Sequence, residues 1–174
     1  IAYTNISIEN ITFKGSDYAL CLIGENVVVD GCVFTDQDSH NIIVYSLKGE
    51  SKILNCTFNA SKGNNKSAIL WEGGYDSATD LSGFVGGGKF VVKGNTAIGK
   101  GVFFQFTNWG HVEGMSVEIT GNVIDAFTNK AIALYTENPS VASGDEFASF
   151  TVADNAFLNV PAGRAILKEY TGTV

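Results

Sequence analysis

The sequence is poor in residues on which several protein classes depend. Its 174 residues include only two prolines, one methionine and three cysteines, and charged residues make up 17%. Three cysteines do not form a disulfide framework. No apolar run approaches the length of a membrane-spanning helix, so we expect no membrane insertion. Scarce Pro and charge together with 20 glycines favour strands and tight turns over helices or disorder.

Positive charge is also scarce. Lys and Arg number 11 against 18 Asp and Glu, which gives a net charge of −7. Nucleic acid and anionic membrane surfaces attract basic proteins, so neither is expected as a partner. The length suits one domain with a proper core, and we expect a single domain over residues 1–174.

What the sequence does contain is an eight-residue pattern that recurs six times. Column three is Ile or Val, column five is Asn, Gly or Asp, and column eight is Phe in four copies. The alternation of apolar columns one and three with mostly polar columns predicts a strand with one buried face. The column-five residue tolerates a left-handed backbone and should turn the chain. The copies are ISIENITF at 6–13, VVVDGCVF at 27–34, SKILNCTF at 51–58, FVVKGNTA at 90–97, VEITGNVI at 117–124 and FTVADNAF at 150–157.

A second apolar block follows each copy and predicts a second strand per repeat. These blocks start at Ala19, Ile42, Ala68, Val102, Ala131 and Ala165. A strand pair of this size cannot bury its apolar face alone, so we expect the repeats to stack as a solenoid. Matching columns would then form ladders. We expect an amide ladder of Asn95, Asn122 and Asn155 and a ring stack of Phe13, Phe34 and Phe58.

Cys32 and Cys56 share column six in neighbouring copies. Because Cys is readily buried, small buried thiols are the favoured interpretation. A disulfide bridge between the two is the alternative.

With these columns the chain resembles the right-handed parallel β-helix repeats of the pectate-lyase-like superfamily. An Ile-x-x-Asn-x-Phe signature with an inward Asn ladder is typical there, and Val152, Asn155 and Phe157 match its spacing. The resemblance covers residues 6 to about 169 and implies an all-β, right-handed parallel β-helix of about six coils. It also implies a third strand per coil, which we expect within the variable connections. A left-handed β-helix and a β-sandwich are weaker alternatives.

Three long connections, 72–89, 107–116 and 136–149, belong to consecutive repeats and should leave the stack at one corner. They are rich in aromatic and acidic residues, a combination that suits sugars. The opposing interpretation is that surface loops simply tolerate polar insertions. The candidate ligand-binding residues are Trp71, Glu72, Tyr75, Asp76, Asp80, Trp109, His111, Glu113, Glu137, Asp145 and Glu146.

The sequence offers no catalytic residue that we can assign. In pectate lyases, the resemblance implies an acidic calcium site and a basic residue, commonly Arg, but the single arginine, Arg164, lies in the last repeat. The Gly-His-Gly and Arg-Ile-Lys of polygalacturonases are absent, and His40 and His111 have no partner spacing. A carboxylate pair could still serve a glycosidase. We therefore favour a noncatalytic protein and keep a lyase or hydrolase as the alternative.

No cofactor and no metal ligand are assigned. Asp36 with Asp38, and Asp76 with Asp80, would supply oxygen ligands for calcium, but neither pair matches a known calcium loop. Acids in solvated turns are the favoured interpretation, with calcium as the alternative.

Two further surfaces could contact partners. One outward column of the second blocks is expected to be apolar throughout, so it is either covered by the long connections or contacts a partner protein. Its expected members are Cys21, Val44, Leu70, Phe104, Ala133 and Leu167. The stack also lacks evident caps, which suggests a segment of a longer surface protein or self-association through the ends.

Together these features favour a noncatalytic, extracellular or cell-surface domain of a bacterial protein. We expect it to act as an adhesin or glycan-binding module whose partner is a polysaccharide or host-surface glycan. The alternatives are a polysaccharide lyase or glycoside hydrolase acting through the long connections, and a structural stalk segment without a ligand.

Overall fold

The computed structural model describes residues 4–60, 66–73, 87–99, 101–109, 112–137, 146–172 and 174. These residues form strands and no helix. Among them there is therefore no helix that could cross a membrane. The strands are β1 (Ser7–Glu9), β2 (Thr12–Glu25), β3 (Val28–Asp30), β4 (Val33–Lys48), β5 (Glu50–Leu54), β6 (Thr57–Ala60), β7 (Ser67–Gly73), β8 (Gly88–Lys93), β9 (Thr96–Gly99), β10 (Val102–Asn108), β11 (Met115–Thr120), β12 (Val123–Asp125), β13 (Lys130–Thr136), β14 (Ser149–Ala153), β15 (Ala156–Leu158) and β16 (Ile166–Lys168).

The strands pair in parallel and form two sheets. The first sheet has the order β1-β3-β5-β8-β11-β14, and the second has the order β15-β12-β9-β6-β4-β7-β10-β13-β16, with β2 paired to β4. Corresponding strands of successive repeats are therefore neighbours. The predicted all-β class is confirmed, and the sheets are parallel.

In the last four repeats the third strand lies inside the eight-residue copy, whereas in the first two repeats β2 and β4 run from the copy through the second block. In the fifth copy, β11 ends at Thr120, Gly121 has a φ of 64°, and β12 starts at Val123. Our expectation that this strand lies in the variable connections was wrong, because the left-handed residue divides each copy into two strands. The six column-five residues all have positive φ: Asn10, Gly31, Asn55, Gly94, Gly121 and Asp154.

Column three forms one continuous ladder through the first sheet. The register pairs Ile8, Val29, Ile53, Val92, Ile119 and Val152 in sequence. Its four central members are at most 1% exposed. Each copy of the pattern therefore places one β-branched side chain, that of column three, on the core side of the first sheet, as predicted.

The asparagine ladder is confirmed. Asn95 Nδ2 donates to Asn122 Oδ1 at 2.9 Å, and Asn122 Nδ2 donates to Asn155 Oδ1 at 2.8 Å. The same amides donate to the carbonyl oxygens of Ile53 and Val92. Each buried amide thus has several partners, which removes the cost of burying it.

The phenylalanine stack is confirmed as well. The ring centroids of Phe13 and Phe34 lie 5.1 Å apart, and those of Phe34 and Phe58 lie 5.0 Å apart, with nearly parallel planes. Next to this stack, Cys32 and Cys56 are buried free thiols, in agreement with the favoured interpretation. Burial raises the pKa of the Cys56 thiol to about 12.

The second blocks follow a register that differs from the expected one in two repeats. The observed ladder joins Leu20, Ile42, Ile69, Phe104, Ile132 and Ile166. At the start of β10 two consecutive residues, Phe103 and Phe104, face the core. The ring of Phe103 contacts Phe58 and the ring of Phe104 contacts Phe90. Strict alternation therefore fails there.

This register changes the outward apolar column. Val44 and Phe104 belong to the core, so assigning them to the outer face was wrong. The observed outer column is Cys21, Ile43, Leu70, Gln105, Ala133 and Leu167. Gln105 interrupts its apolar character, and Ile43, Leu70 and Ala133 are at most 7% exposed. These residues do not form a continuous exposed apolar ladder.

Candidate functional site

The three long connections leave from neighbouring strands, as predicted. The register aligns Glu72 of β7 with Thr107 of β10 and Tyr135 of β13. One residue further on, it aligns Gly73, Asn108 and Thr136. The chain therefore enters these connections side by side, at the carboxyl-terminal ends of β7, β10 and β13, which form the edge of the site.

Trp71 does not belong to the site. Its side chain is 2% exposed and packs against the rings of Phe90, Phe106 and Phe147. Alternation along β7 turns Trp71 inward and the next residue, Glu72, outward. This corrects our assignment of Trp71 as a ligand-binding residue.

Glu72 and Trp109 form the centre of the described site. Trp109 follows β10 directly, and its backbone N–H donates to Gly73 O at 2.9 Å. Its side chain hydrogen-bonds the carboxylate of Glu72, which is half-buried, while 42% of the Trp109 surface is exposed. The indole is thus held by its polar edge while part of its surface faces solvent.

Gly73 allows this arrangement sterically. A Cβ added at this position would lie 2.7 Å from both Phe106 Cε2 and Val112 Cγ1. Distances this short are strongly repulsive, so a side chain at Gly73 would have to displace Phe106 and Val112 or its own backbone, whose carbonyl anchors Trp109.

Glu137 is brought to the same edge by a buried anchor. It follows β13 directly, and its backbone N–H donates to the Oδ1 of Asn108 at 2.9 Å. Asn108 is completely buried. Its amide therefore fixes the start of the third connection next to the position from which Trp109 leaves.

The electrostatics of Glu72 follow from these neighbours. Burial raises the pKa of the Glu72 carboxyl, and the negative charge of Glu137 raises the pKa further. The hydrogen bond from the Trp109 side chain opposes both effects, because it stabilises the ionised form.

Tyr135 and Glu169 extend the site, although the sequence analysis did not select them. Burial and the charge of Glu169 raise the pKa of the Tyr135 phenol. Glu169 is placed by its backbone N–H, which donates to Leu134 O at 2.8 Å. The sequence does contain a signal for both residues. Like Glu72, each comes directly after the four-residue second block of its repeat.

The other selected residues lie elsewhere or outside the described ranges. Glu113 and Glu146 are exposed and lie just before β11 and β14, at the far ends of their connections. Their carbonyl oxygens accept hydrogen bonds from Gly87 and Gly114. Five candidates lie outside the described residues: Tyr75, Asp76, Asp80, His111 and Asp145.

No metal site can be built from the part of the chain that is described. Within it, no group of three or more His, Cys, Asp or Glu side chains could hold an ion. Asp36 and Asp38 lie on β4 and join no such group. Asp76 and Asp80, the other acids considered for calcium, lie outside the described residues.

A separate polar cluster lies where β4 pairs with β7. His40 Nδ1 hydrogen-bonds Ser67 Oγ, and the ring of Tyr18 stacks on the imidazole with centroids 5.9 Å apart. Burial lowers the pKa of His40 to about 4, helped by the charge of Lys66. Because Ser67 is completely buried, its hydroxyl is not accessible to a substrate as a nucleophile.

Comparisons with protein-family models, curated proteins and solved structures give no match to this chain.

Proposed function

We propose that the chain is a right-handed parallel β-helix that serves as a noncatalytic glycan-binding module of an extracellular, cell-surface protein. The β-helix is supported by the order of both parallel sheets, in which strands of each repeat pair with their counterparts in the next repeat. A stack of this kind offers a rigid edge on which neighbouring connections can build a binding surface.

The observation that carries the binding function is the exposed indole of Trp109 beside the half-buried Glu72. A tryptophan ring offers an apolar face to the C–H groups of a sugar, and a neighbouring carboxylate accepts hydrogen bonds from its hydroxyls. Tyr135 adds a partly buried phenol in the same register column as Glu72. These groups suit one or two sugar units on a flat edge.

Binding without catalysis is the better-supported role. The polysaccharide lyases that the fold resembles use a basic residue, yet Arg164 Nη1 donates to Thr128 O at 2.7 Å and holds two adjacent repeats together. The described histidine, His40, is buried against Ser67. We propose the extracellular location and an adhesin role from the resemblance alone.

A polysaccharide screen with the purified chain tests this function. The screen should record both binding and the release of reducing or unsaturated ends. We expect binding without product release. Accumulating product would favour a lyase or hydrolase instead, and no binding to any glycan would favour a stalk segment.

The matched variants are Trp109→Ala and Tyr18→Ala, which each remove an exposed aromatic ring, one directly after β10 and the other on β2. Trp109→Ala should weaken binding of a screen hit by about tenfold or more, whereas Tyr18→Ala should leave it within about twofold. Equal losses in the two variants would contradict a site at Trp109. Thermal unfolding of both variants verifies that the fold is intact.

A further inference from the structure

Three carboxylates lie near the carboxyl-terminal ends of neighbouring strands: Glu72 is in register with Thr107 and Tyr135, Glu137 is anchored through Asn108, and the backbone N–H of Glu169 donates to Leu134 O. Three titratable groups there have raised pKa values, namely Cys21, Glu72 and Tyr135. Burial is the main cause in each case, and the second cause is a carboxylate: Glu72 acts on Cys21, Glu137 on Glu72, and Glu169 on Tyr135. Among these carboxylates, Glu72 and Glu137 are therefore close enough to interact.

The lysine of β13 does not offset these charges. Lys130 lies at the opposite end of β13, where its ammonium donates to Gly163 O at 3.3 Å. The exposed Lys168 precedes Glu169 in the last repeat, whereas Glu72 and Glu137 belong to the third and fifth repeats. The net charge of −7 adds to the negative potential over the whole molecule.

A ligand's charge should therefore affect its affinity for this site. A uronic-acid polymer would bring carboxylates towards Glu72 and Glu137, and like charges at short range repel. An ammonium group would instead reduce the repulsion between the two glutamates. It would also be attracted to the face of the Trp109 indole through a cation–π contact.

We propose that the Trp109–Glu72 site selects glycans that carry free amino groups, such as polymers of glucosamine, over uronic-acid polymers. This inference rests on the proposed glycan-binding function and specifies its ligand. Trp109 supplies the stacking surface, and Glu72 and Glu137 supply the charge that recognises the ammonium.

Calorimetric titration with three sets of oligosaccharides of equal length tests the preference. The ligands are glucosamine oligomers, N-acetylglucosamine oligomers and oligogalacturonides, titrated at a pH where the amine is protonated. We expect glucosamine oligomers to bind about tenfold tighter than the acetylated oligomers, and oligogalacturonides to bind most weakly. Equal affinities, or tighter binding of oligogalacturonides, would overturn the inference.

Two charge-neutralising variants distinguish a local site from general attraction to an acidic protein. Glu137→Gln should reduce the ratio of the affinities for glucosamine and acetylated oligomers by about fivefold. Glu9→Gln removes the same charge from the outer face of the first sheet and should leave the preference unchanged. Equal reductions in both variants would overturn the site assignment.

The outcomes also separate this inference from the function on which it rests. Binding of the neutral oligomers without any charge preference would overturn the amino-sugar specificity alone. Failure of all three ligands, together with an empty polysaccharide screen, would overturn glycan binding itself.

Discussion

The side chain of Trp109 donates a hydrogen bond to the carboxylate of Glu72 on the neighbouring strand. This contact joins two consecutive repeats at the point where two long connections begin. It fixes the polar edge of the indole and leaves part of the ring in solvent. A surface aromatic held in this way loses little conformational freedom when a ligand stacks on it.

The first prediction concerns the titration of Glu72. Trp109→Phe keeps a ring but removes the donor, so the pKa of Glu72 should rise, because its ionised form loses a hydrogen bond. Glu137→Gln removes a neighbouring negative charge, so the pKa of Glu72 should fall. NMR titration of the Glu72 carboxyl carbon measures both shifts. Shifts of the same sign would contradict this electrostatic description.

The second prediction concerns the buried amide ladder. Asn122→Ala removes the donor to Asn155 and Val92 and the acceptor of Asn95, which leaves buried polar groups without partners. The free energy of unfolding should fall by about 2–4 kcal/mol. Urea denaturation measures this loss.

The control for the ladder is Asn159→Gly, because Asn159 has a φ of 52° that glycine also adopts without strain. Asn159 is exposed, and its side chain donates to Asp125 at 2.8 Å. Its substitution should change the free energy of unfolding by no more than about 0.5 kcal/mol. A loss as large as that of Asn122→Ala would show that burial of the ladder does not determine its importance.

The third prediction concerns Gly73. Gly73→Ala should lower the free energy of unfolding by about 1–3 kcal/mol, because its Cβ would collide with Phe106 and Val112. Binding at Trp109 should weaken too, since the Gly73 carbonyl anchors that residue. Urea denaturation and glycan titration measure the two effects.

Gly121→Asn is the matched control for Gly73→Ala. At Gly121 an added Cβ meets nothing within 4 Å, and Asn already occupies the same left-handed column at Asn10 and Asn55. This variant should cost less than about 1 kcal/mol and leave binding unchanged. If Gly121→Asn lowered the free energy of unfolding more than Gly73→Ala does, steric collision would not explain why position 73 requires glycine.

The fourth prediction concerns pH and His40. The pKa of His40 is lowered to about 4 in the folded state, from about 6.5 when exposed. Between these values the unfolded state binds more protons, so the free energy of unfolding should increase as pH rises from about 4 to about 6.5. The full effect would reach about 3 kcal/mol. Below about pH 4 both states are protonated, so this contribution stops changing.

The variant His40→Gln isolates this contribution from that of the carboxylates. Denaturant unfolding of both proteins across the pH range should show a flatter profile for the variant. Parallel profiles would mean that His40 does not titrate between its folded and unfolded states in the predicted way.

Much of the fold could be predicted because the repeat is local. Column three needed only alternation, column five needed only a residue that tolerates positive φ, and Asn95, Asn122 and Asn155 needed only equal spacing in consecutive copies. These features depend on a few neighbouring residues and one counterpart in the next repeat. The parallel pairing of successive repeats follows from the same spacing.

The packing at the start of β10 could not be predicted in this way. There Phe103 and Phe104 both face the core, so a count by alternate residues loses its phase. The error at Trp71 is of another kind. Leu70 was expected to face outward, and alternation from Leu70 already turns Trp71 inward, onto the rings of Phe90 and Phe106.

The supporting residues of the site were missed for a different reason. Asn108 acts through its buried amide on the backbone of Glu137, which belongs to the next repeat. Such a contact becomes visible only once the relative register of the strands is known. The sequence shows the aromatic and acidic residues of the connections, but not the amide that positions one of them.

Fluorescence quenching tests the central claim most directly, because the chain has two tryptophans of opposite exposure. Trp71 is 2% exposed and Trp109 is 42% exposed, so acrylamide should quench mainly Trp109. On addition of a saturating glycan from the screen, we expect the quenchable fraction of the emission to fall towards the level of the Trp109→Phe variant. A glycan that binds while acrylamide quenching stays unchanged would contradict a binding site at Trp109.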